Sequence, residues 1–186
     1  MELLFALWFF LPAGLANAAP VFAARLPRLK NWNAPLDFNK TFRGKRIFGA
    51  NKTWRGLLAG VIIATLTVAA QHWLAVNTPL VSTLSFIPGD INYYFADILW
   101  LGPLLGFGAL AGDALESFAK RQLNIPPSHR WFPFDQIDYI IGGLLASLII
   151  VRLSIFAYAL ILITWFALHL ITVYIGYKLN LRAKPI

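Results

Sequence analysis

Asp113, Glu116, Ser117, Lys120 and Arg121 stand at intervals of i, i+3, i+4, i+7 and i+8. A helix through them sets two acids, a hydroxyl and two bases along one stripe. The stretch from 112 to 138 that holds them lies between two apolar runs and carries four of the eight acidic residues, Asp113, Glu116, Asp135 and Asp138. In a hydrocarbon layer such groups are costly, and their default reading is a functional one. Asp135 and Asp138 follow Pro133, three positions apart, at the start of the next apolar run. Acids at a helix amino terminus are favoured by its dipole alone. With Asp113 they form a set of hard oxygen donors that suits Mg²⁺ shared with substrate phosphates. Asp113, Asp135 and Asp138 are therefore the expected metal ligands, with Lys120 and Arg121 beside them.

A second cluster, Gly49-Ala50-Asn51-Lys52-Thr53-Trp54-Arg55-Gly56, enters another apolar run. Two bases and a hydroxyl at a helix amino terminus suit an anion. It is not a P-loop, because Ala50-Asn51 separate Gly49 from Lys52 and no strand precedes it. No nucleophile triad is apparent. His72 and His169 stand alone in apolar runs and His129 in the central loop. Metal, Lys and Arg without a nucleophile fit phosphoryl or nucleotidyl transfer, which needs positioning and charge neutralisation above all. A lipid phosphate as attacking group is already ionised near neutral pH, so no general base is required.

The elements that must hold these residues are read from hydropathy. The chain has 186 residues, 59% hydrophobic and 13% charged, with mean hydropathy +0.65. A soluble domain is nearer a quarter charged. The length suits a single domain over residues 1–186. There is no cysteine and hence no disulfide or thiolate chemistry. The net charge of +8 reads as membrane topology and not as nucleic-acid binding. Apolar runs at 2–24, 56–76, 95–118, 137–151 and 155–177 predict five transmembrane helices of an all-α polytopic protein. Ala16-Asn17-Ala18 resembles a cleavage site, but the charged leader of a signal peptide is missing, so the first run is expected to stay as a helix. The basic loop at 25–55, the central loop at 119–136 and the tail together hold fifteen of the sixteen Lys and Arg residues, with Arg152 the exception. The positive-inside rule then puts the amino terminus outside and the carboxyl terminus in the cytoplasm. Residues 77–95 hold only Asp90 as a charge. Gly102xxxGly106 and Gly108xxxGly112 predict close helix packing along the third run.

On GANKTWRG at 49–56, GDALESFAKRQL at 112–123 and PFDQIDYIIGG at 133–143, the chain resembles the integral-membrane CDP-archaeol synthases, relatives of the CDP-diacylglycerol synthases. The Ala-Asn and proline of Ala16-Asn17-Ala18-Ala19-Pro20 are similar to that family's first helix. The resemblance implies five membrane helices, a polar cavity open to the cytoplasm, and a Mg²⁺-dependent transfer of CMP from CTP to a glycerol-phosphate lipid in the cell membrane, releasing pyrophosphate. It carries metal binding onto Asp113, Asp135 and Asp138, and phosphate binding onto Lys120 and Arg121. Asn17, Lys52, Thr53, Arg55 and Ser117 become substrate-binding candidates. The chain departs from the family pattern at Ala50-Asn51, where an Asp-Gly or Asp-His pair is usual, and Glu116 is a feature of the diacylglycerol branch. The acceptor is thus an archaeol-type ether lipid or a phosphatidic-acid-like one. Two other readings stand beside it. A CDP-alcohol phosphotransferase needs an Asp-Gly pair that this chain lacks. A small ion-binding transporter needs polar groups deep in several helices, whereas here they concentrate on one side.

Overall fold

Among the residues the computed structural model describes, 2–78, 95–126 and 129–178, there are five α-helices and one small β-hairpin. The helices are α1 (Glu2–Ala23), α2 (Trp54–Asn77), α3 (Phe95–Gln122), α4 (Phe134–Ser147) and α5 (Ile155–Lys178), and the hairpin is β1 (Thr41–Phe42) with β2 (Lys45–Arg46). Asp90, Arg182 and Lys184, which entered the topology expectation, lie outside the described residues. Among the described helices α1, α2 and α5 are long and apolar enough to cross a membrane. α3 is long but diluted by glycines and by the charges at its end, and α4 has only 14 residues. The fourth run was expected at 137–151. The helix starts earlier, at Phe134, and gives way to turns after Ser147.

α1 is the hub. Phe10 and Ala13 are fully buried, and Phe10 packs edge-on against Trp165 of α5 at 5.5 Å and tilted against Tyr139 of α4 at 6.2 Å. Two prolines sit inside this helix, Pro12 and Pro20. Each lacks an N–H and so strips the carbonyl four residues earlier of its helical partner. Away from water that carbonyl needs another donor. For Pro12 the orphan is the Trp8 carbonyl, and the Gln71 side-chain amide of α2 donates to it at 2.7 Å. For Pro20 the orphan is the Ala16 carbonyl, which lies only 2.9 Å from where a Cβ on Gly60 of α2 would stand. The absence of a side chain at Gly60 is what lets α2 come that close.

Glycines also bring α3 against its neighbours on two faces. A Cβ on Gly102 or Gly106 would run into the backbone of α2 at Thr65, Ala64 and Val61. On the other face, a Cβ on Gly108 would overlap the Gly142 carbonyl, and one on Gly112 the Asp138 carbonyl. The reciprocal residue Gly142 has no more room, facing the Gly108 carbonyl. The spacing of small residues is therefore a packing device, as expected. It presses α3 and α4 together backbone to backbone at the depth of Asp113 and Asp138.

The loop from 25 to 53 holds the β-hairpin, which the all-α expectation missed. Thr41 pairs with Arg46 and Phe42 with Lys45, and Arg43 and Gly44 between them both take positive φ, at 53° and 76°. That is the two-residue turn matching the twist of a hairpin. The hairpin fastens the end of α3: the Lys45 ammonium donates to the Gln122 carbonyl at 2.7 Å and Phe42 packs on Phe118 at 5.9 Å. Asn124, at φ 62°, closes the same helix, with the Ile125 N–H reaching back to the Lys120 carbonyl at 2.9 Å. Asp37 holds the loop together. It is the one acid among the nine Lys and Arg of residues 25–55, and its side chain is wholly buried. Arg46 grips it through two nitrogens at 2.7 and 3.1 Å, and the N–H groups of Asn39, Phe48 and Gly49 each donate to it at 3.0 Å. Beyond it, residues 34–36 run antiparallel to 52–54, joined by the Leu36 N–H to the Lys52 carbonyl at 2.7 Å. Lys52 is thus fixed from its own backbone.

Two measurements test these restraints. Gln71→Leu leaves the Trp8 carbonyl unpaired and is expected to cost about 1 kcal/mol of stability in detergent. In a Pro12→Ala background, where residue 12 regains its N–H, the same change is expected to cost almost nothing; equal losses in both backgrounds would contradict the account. For Asp37, burial raises its carboxyl pKa, but Arg46 and the three N–H groups outweigh it and hold the value down from the ordinary 3.8 to about 2. A depressed carboxylate stabilises fully above its unfolded pKa and loses that stabilisation as pH falls through the folded one. Hydrogen-exchange protection of the Phe48 and Gly49 amides is therefore expected to hold down to about pH 4 and to collapse as the pH approaches 2.

Candidate active site

The stripe expected on α3 forms one wall of a cavity of about 330 Å³. Asp113, Glu116, Ser117, Lys120 and Arg121 all line it, one helical turn after another. The facing wall comes from α4 through Asp135 and Asp138, and the third from the Phe48–Lys52 loop. The Gly112–Asp138 contact explains the first two walls. With no side chain between the helices there, acidic groups on both are brought to one space.

Ammonium groups thread the carboxylates. Lys52 reaches both oxygens of Asp113, at 2.7 and 2.6 Å. Lys120, although 8% exposed, sits between the Glu116 carboxylate at 3.1 Å and the Asp135 carboxylate, which it contacts directly. Buried charge is tolerated only when paired in this way. The second Asp135 oxygen accepts the Trp131 N–H at 2.7 Å, and Asp138 accepts the Tyr139 N–H at 2.6 Å. Among the side chains lining the cavity, Arg121 keeps a buried nitrogen, Nε, that has neither a hydrogen-bond partner nor an ion-pair partner. An unpaired buried guanidinium nitrogen is an anion donor in waiting.

A second cavity of about 260 Å³ lies against the first. Asn51, Lys52 and Asp113 border both. Asn17 and Thr53 line only the second. Thr53 caps α2, its hydroxyl oxygen accepting the Gly56 N–H at 3.1 Å.

Of the ten residues singled out in the sequence, nine border one cavity or the other. Arg55 does not. Its guanidinium donates to the Leu29 and Lys30 carbonyls at 3.0 and 3.1 Å, which ties the loop down instead. Residue type and neighbourhood gave no hint of this, because the partners are main-chain carbonyls some 25 residues earlier. Asp37 and Asn51 were not singled out. Asp37 was open to discovery as a lone acid in a basic loop, which must find a cation if it is buried.

The donor set bears on a divalent cation. Four carboxylates line the larger cavity, and all are hard oxygen ligands. Among the described residues, however, no three His, Cys, Asp or Glu side chains converge closely enough to cage a metal ion by themselves. Asp113, Asp135 and Asp138, expected from the sequence to hold a metal together, do not form such a group. A Mg²⁺ ion held here would use one or two carboxylates and complete its shell with water and substrate phosphates.

Known proteins share the sequence along its whole length. The family model described as CarS-like CDP-archaeol synthase matches residues 1–186. The chain is 33% identical to a CDP-archaeol synthase of Pyrococcus furiosus, over 97% of this chain and 96% of that one. It is 35% identical to a CDP-archaeol synthase of Archaeoglobus fulgidus, over 96% and 95%. A solved structure of an intramembrane enzyme for archaeal membrane lipid biosynthesis superposes with a TM-score of 0.67 at 28% identity, covering 90% of this chain and 91% of that one. With its whole length matched and its charged stripe, loop and helix packing in place, the chain belongs to the CarS-like CDP-archaeol synthase family.

Proposed function

We propose that the protein is a membrane cytidylyltransferase that joins CMP from CTP to a glycerol-phosphate lipid of the archaeol type. The observation that carries the reading is the charge inventory of the larger cavity. Four carboxylates face Lys52, Lys120 and Arg121, so the cations of the pocket are already opposed by acids before a triphosphate enters. The nucleotide must arrive with its own counter-ion. Bound Mg²⁺ would neutralise the triphosphate and polarise the phosphorus under attack. Asp113 and Asp138, on the two helices that meet at the Gly112 contact, are the residues that would hold it, with Asp135 elsewhere on the same cavity wall.

The chain's own groups do the rest. Lys120 and Arg121 offer positive charge from the last turn of α3, and Lys52 from the opposite wall. A lipid phosphate oxygen forms a bond to the α-phosphorus of CTP, and the bond from that phosphorus to the α–β bridging oxygen breaks. Pyrophosphate leaves with the bond's electrons, its new charge met by the same ammonium and guanidinium groups. The buried, partnerless Arg121 Nε is the donor best suited to that task. No side chain has to take a proton from the acceptor.

The same reading supplies the finer topology: five membrane crossings, the amino terminus outside, and both polar loops and the cell membrane's cytoplasmic face together. Lys45, Lys52, Lys120 and Arg121 gather at one end of the bundle through the hairpin and cavity contacts, which supports that arrangement. An ion-binding transporter gains no such support, and the family assignment sets aside the CDP-alcohol phosphotransferase.

Purified protein incubated with labelled CTP, Mg²⁺ and a panel of ether- and ester-linked glycerol-phosphate acceptors is expected to form CDP-lipid, best with the ether lipid. Lys120→Met is expected to lower kcat by about a hundredfold while the helical signal by circular dichroism is kept. No product from any acceptor with intact wild-type fold would overturn the reading.

A further inference from the structure

A transfer between two anions needs two places that meet at one point, and the structure has two cavities sharing one wall. That wall is the Lys52–Asp113 ion pair with Asn51. The cavities differ in what their other surfaces offer. In the larger, charged side chains dominate and only Phe48 and Ala50 are apolar. In the smaller, Pro20, Val21, Leu36, Leu57 and Leu110 supply five of the eleven lining residues, beside Asn17, Thr53 and the shared wall. A nucleotide triphosphate finds its partners in the first. An amphiphile finds its own in the second.

The position of the smaller cavity points the same way. It lies where α1, α2 and α3 meet, and α1 and α2 are two of the helices long and apolar enough to cross a membrane. Val21 at its edge is 57% exposed, and Phe22 and Leu58 beside it are 66% and 44% exposed. A headgroup seated inside could therefore leave its chains along the apolar outer face of the bundle. Asn17 adds a polar end. After Glu2 it is the only charged or amide side chain in α1, and an amide there is costly unless something polar comes to it. Opposite it stands the amino terminus of α2, whose dipole favours a negative charge, and the Lys52 ammonium.

We propose that the smaller cavity receives the glycerol-phosphate head of the lipid acceptor. Its phosphate lies against Lys52 at the shared wall, Asn17 binds the glycerol oxygens, and Leu57 and Leu110 bound the start of the chains. This rests on the cytidylyltransferase reading and gives its acceptor a place. Of the three side chains that border both cavities, Asn51, Lys52 and Asp113, Lys52 is then the cation that both phosphates share.

The test is steady-state kinetics of the full chain in detergent, with an archaeol-type ether glycerol phosphate and CTP varied in turn. Leu57→Trp fills the cavity from α2, and Asn17→Leu replaces the amide on α1 by an apolar side chain of the same branching and heavy-atom count. Each is expected to raise the KM for the lipid about tenfold while the KM for CTP stays put. Calorimetric binding of CTP with Mg²⁺ confirms that each variant is folded with its nucleotide cavity intact. A rise in the KM for CTP with the lipid KM unmoved would overturn the proposal and put the nucleobase in the smaller cavity. If wild-type turns over but neither variant shifts either KM, the cavity holds no substrate and the proposal falls alone. If wild-type forms no CDP-lipid at all, the underlying reading falls as well.

Discussion

The contact between α3 and α4 at Gly108, Gly112 and Gly142 sets the rest of the molecule. Glycine on both sides lets two backbones touch, with carbonyls where Cβ atoms would otherwise stand. Within a membrane there is little hydrophobic drive between helices, so close packing and satisfied polar groups must hold them together. The consequence reaches beyond stability. A larger residue at Gly112 would push Asp138 away from Asp113, and one cavity would become two unrelated surfaces.

The same economy of backbone contact runs through α1. Pro12 and Pro20 each release a carbonyl, and α2 answers each differently, with the Gln71 amide at Trp8 and a bare glycine at Ala16. These arrangements fix α1 and α2 against each other, and with them the smaller cavity between. At the other end, the Asp37 cluster and the hairpin bring Lys52 and the end of α3 to the cavity from outside the bundle. Membrane packing thus fixes the acids, and the soluble loop delivers a base to them. The affinity of the site rests on both.

Much of this was legible in the sequence. The charged stripe from Asp113 to Arg121 obeyed helical spacing, and apolar length gave five helices. The small-residue spacing announced tight packing because no other role suits four glycines on one buried helix. What stayed hidden depends on contacts far apart in the chain. The hairpin at 41–46 is too short to alternate in hydropathy, so no period marks it. Arg55 carries the same charge as Lys52, but only the fold decides that one binds main-chain carbonyls and the other Asp113. Nor does any single residue type announce the smaller cavity. It lies where Gly60 lets α1 and α3 come close to α2, a contact that spacing along the chain does not encode.

The central claim is that one cavity gathers the oxygen donors for a divalent cation together with the positive groups for a triphosphate. Anomalous diffraction from crystals grown with CTP and Mn²⁺ in place of Mg²⁺ tests it most directly. The account predicts a manganese peak bridging the nucleotide phosphates and the carboxylates of Asp113 and Asp138, with Lys120 and Arg121 on the phosphate oxygens. A peak outside that cavity, or CTP bound there with neither aspartate near the metal, would contradict it.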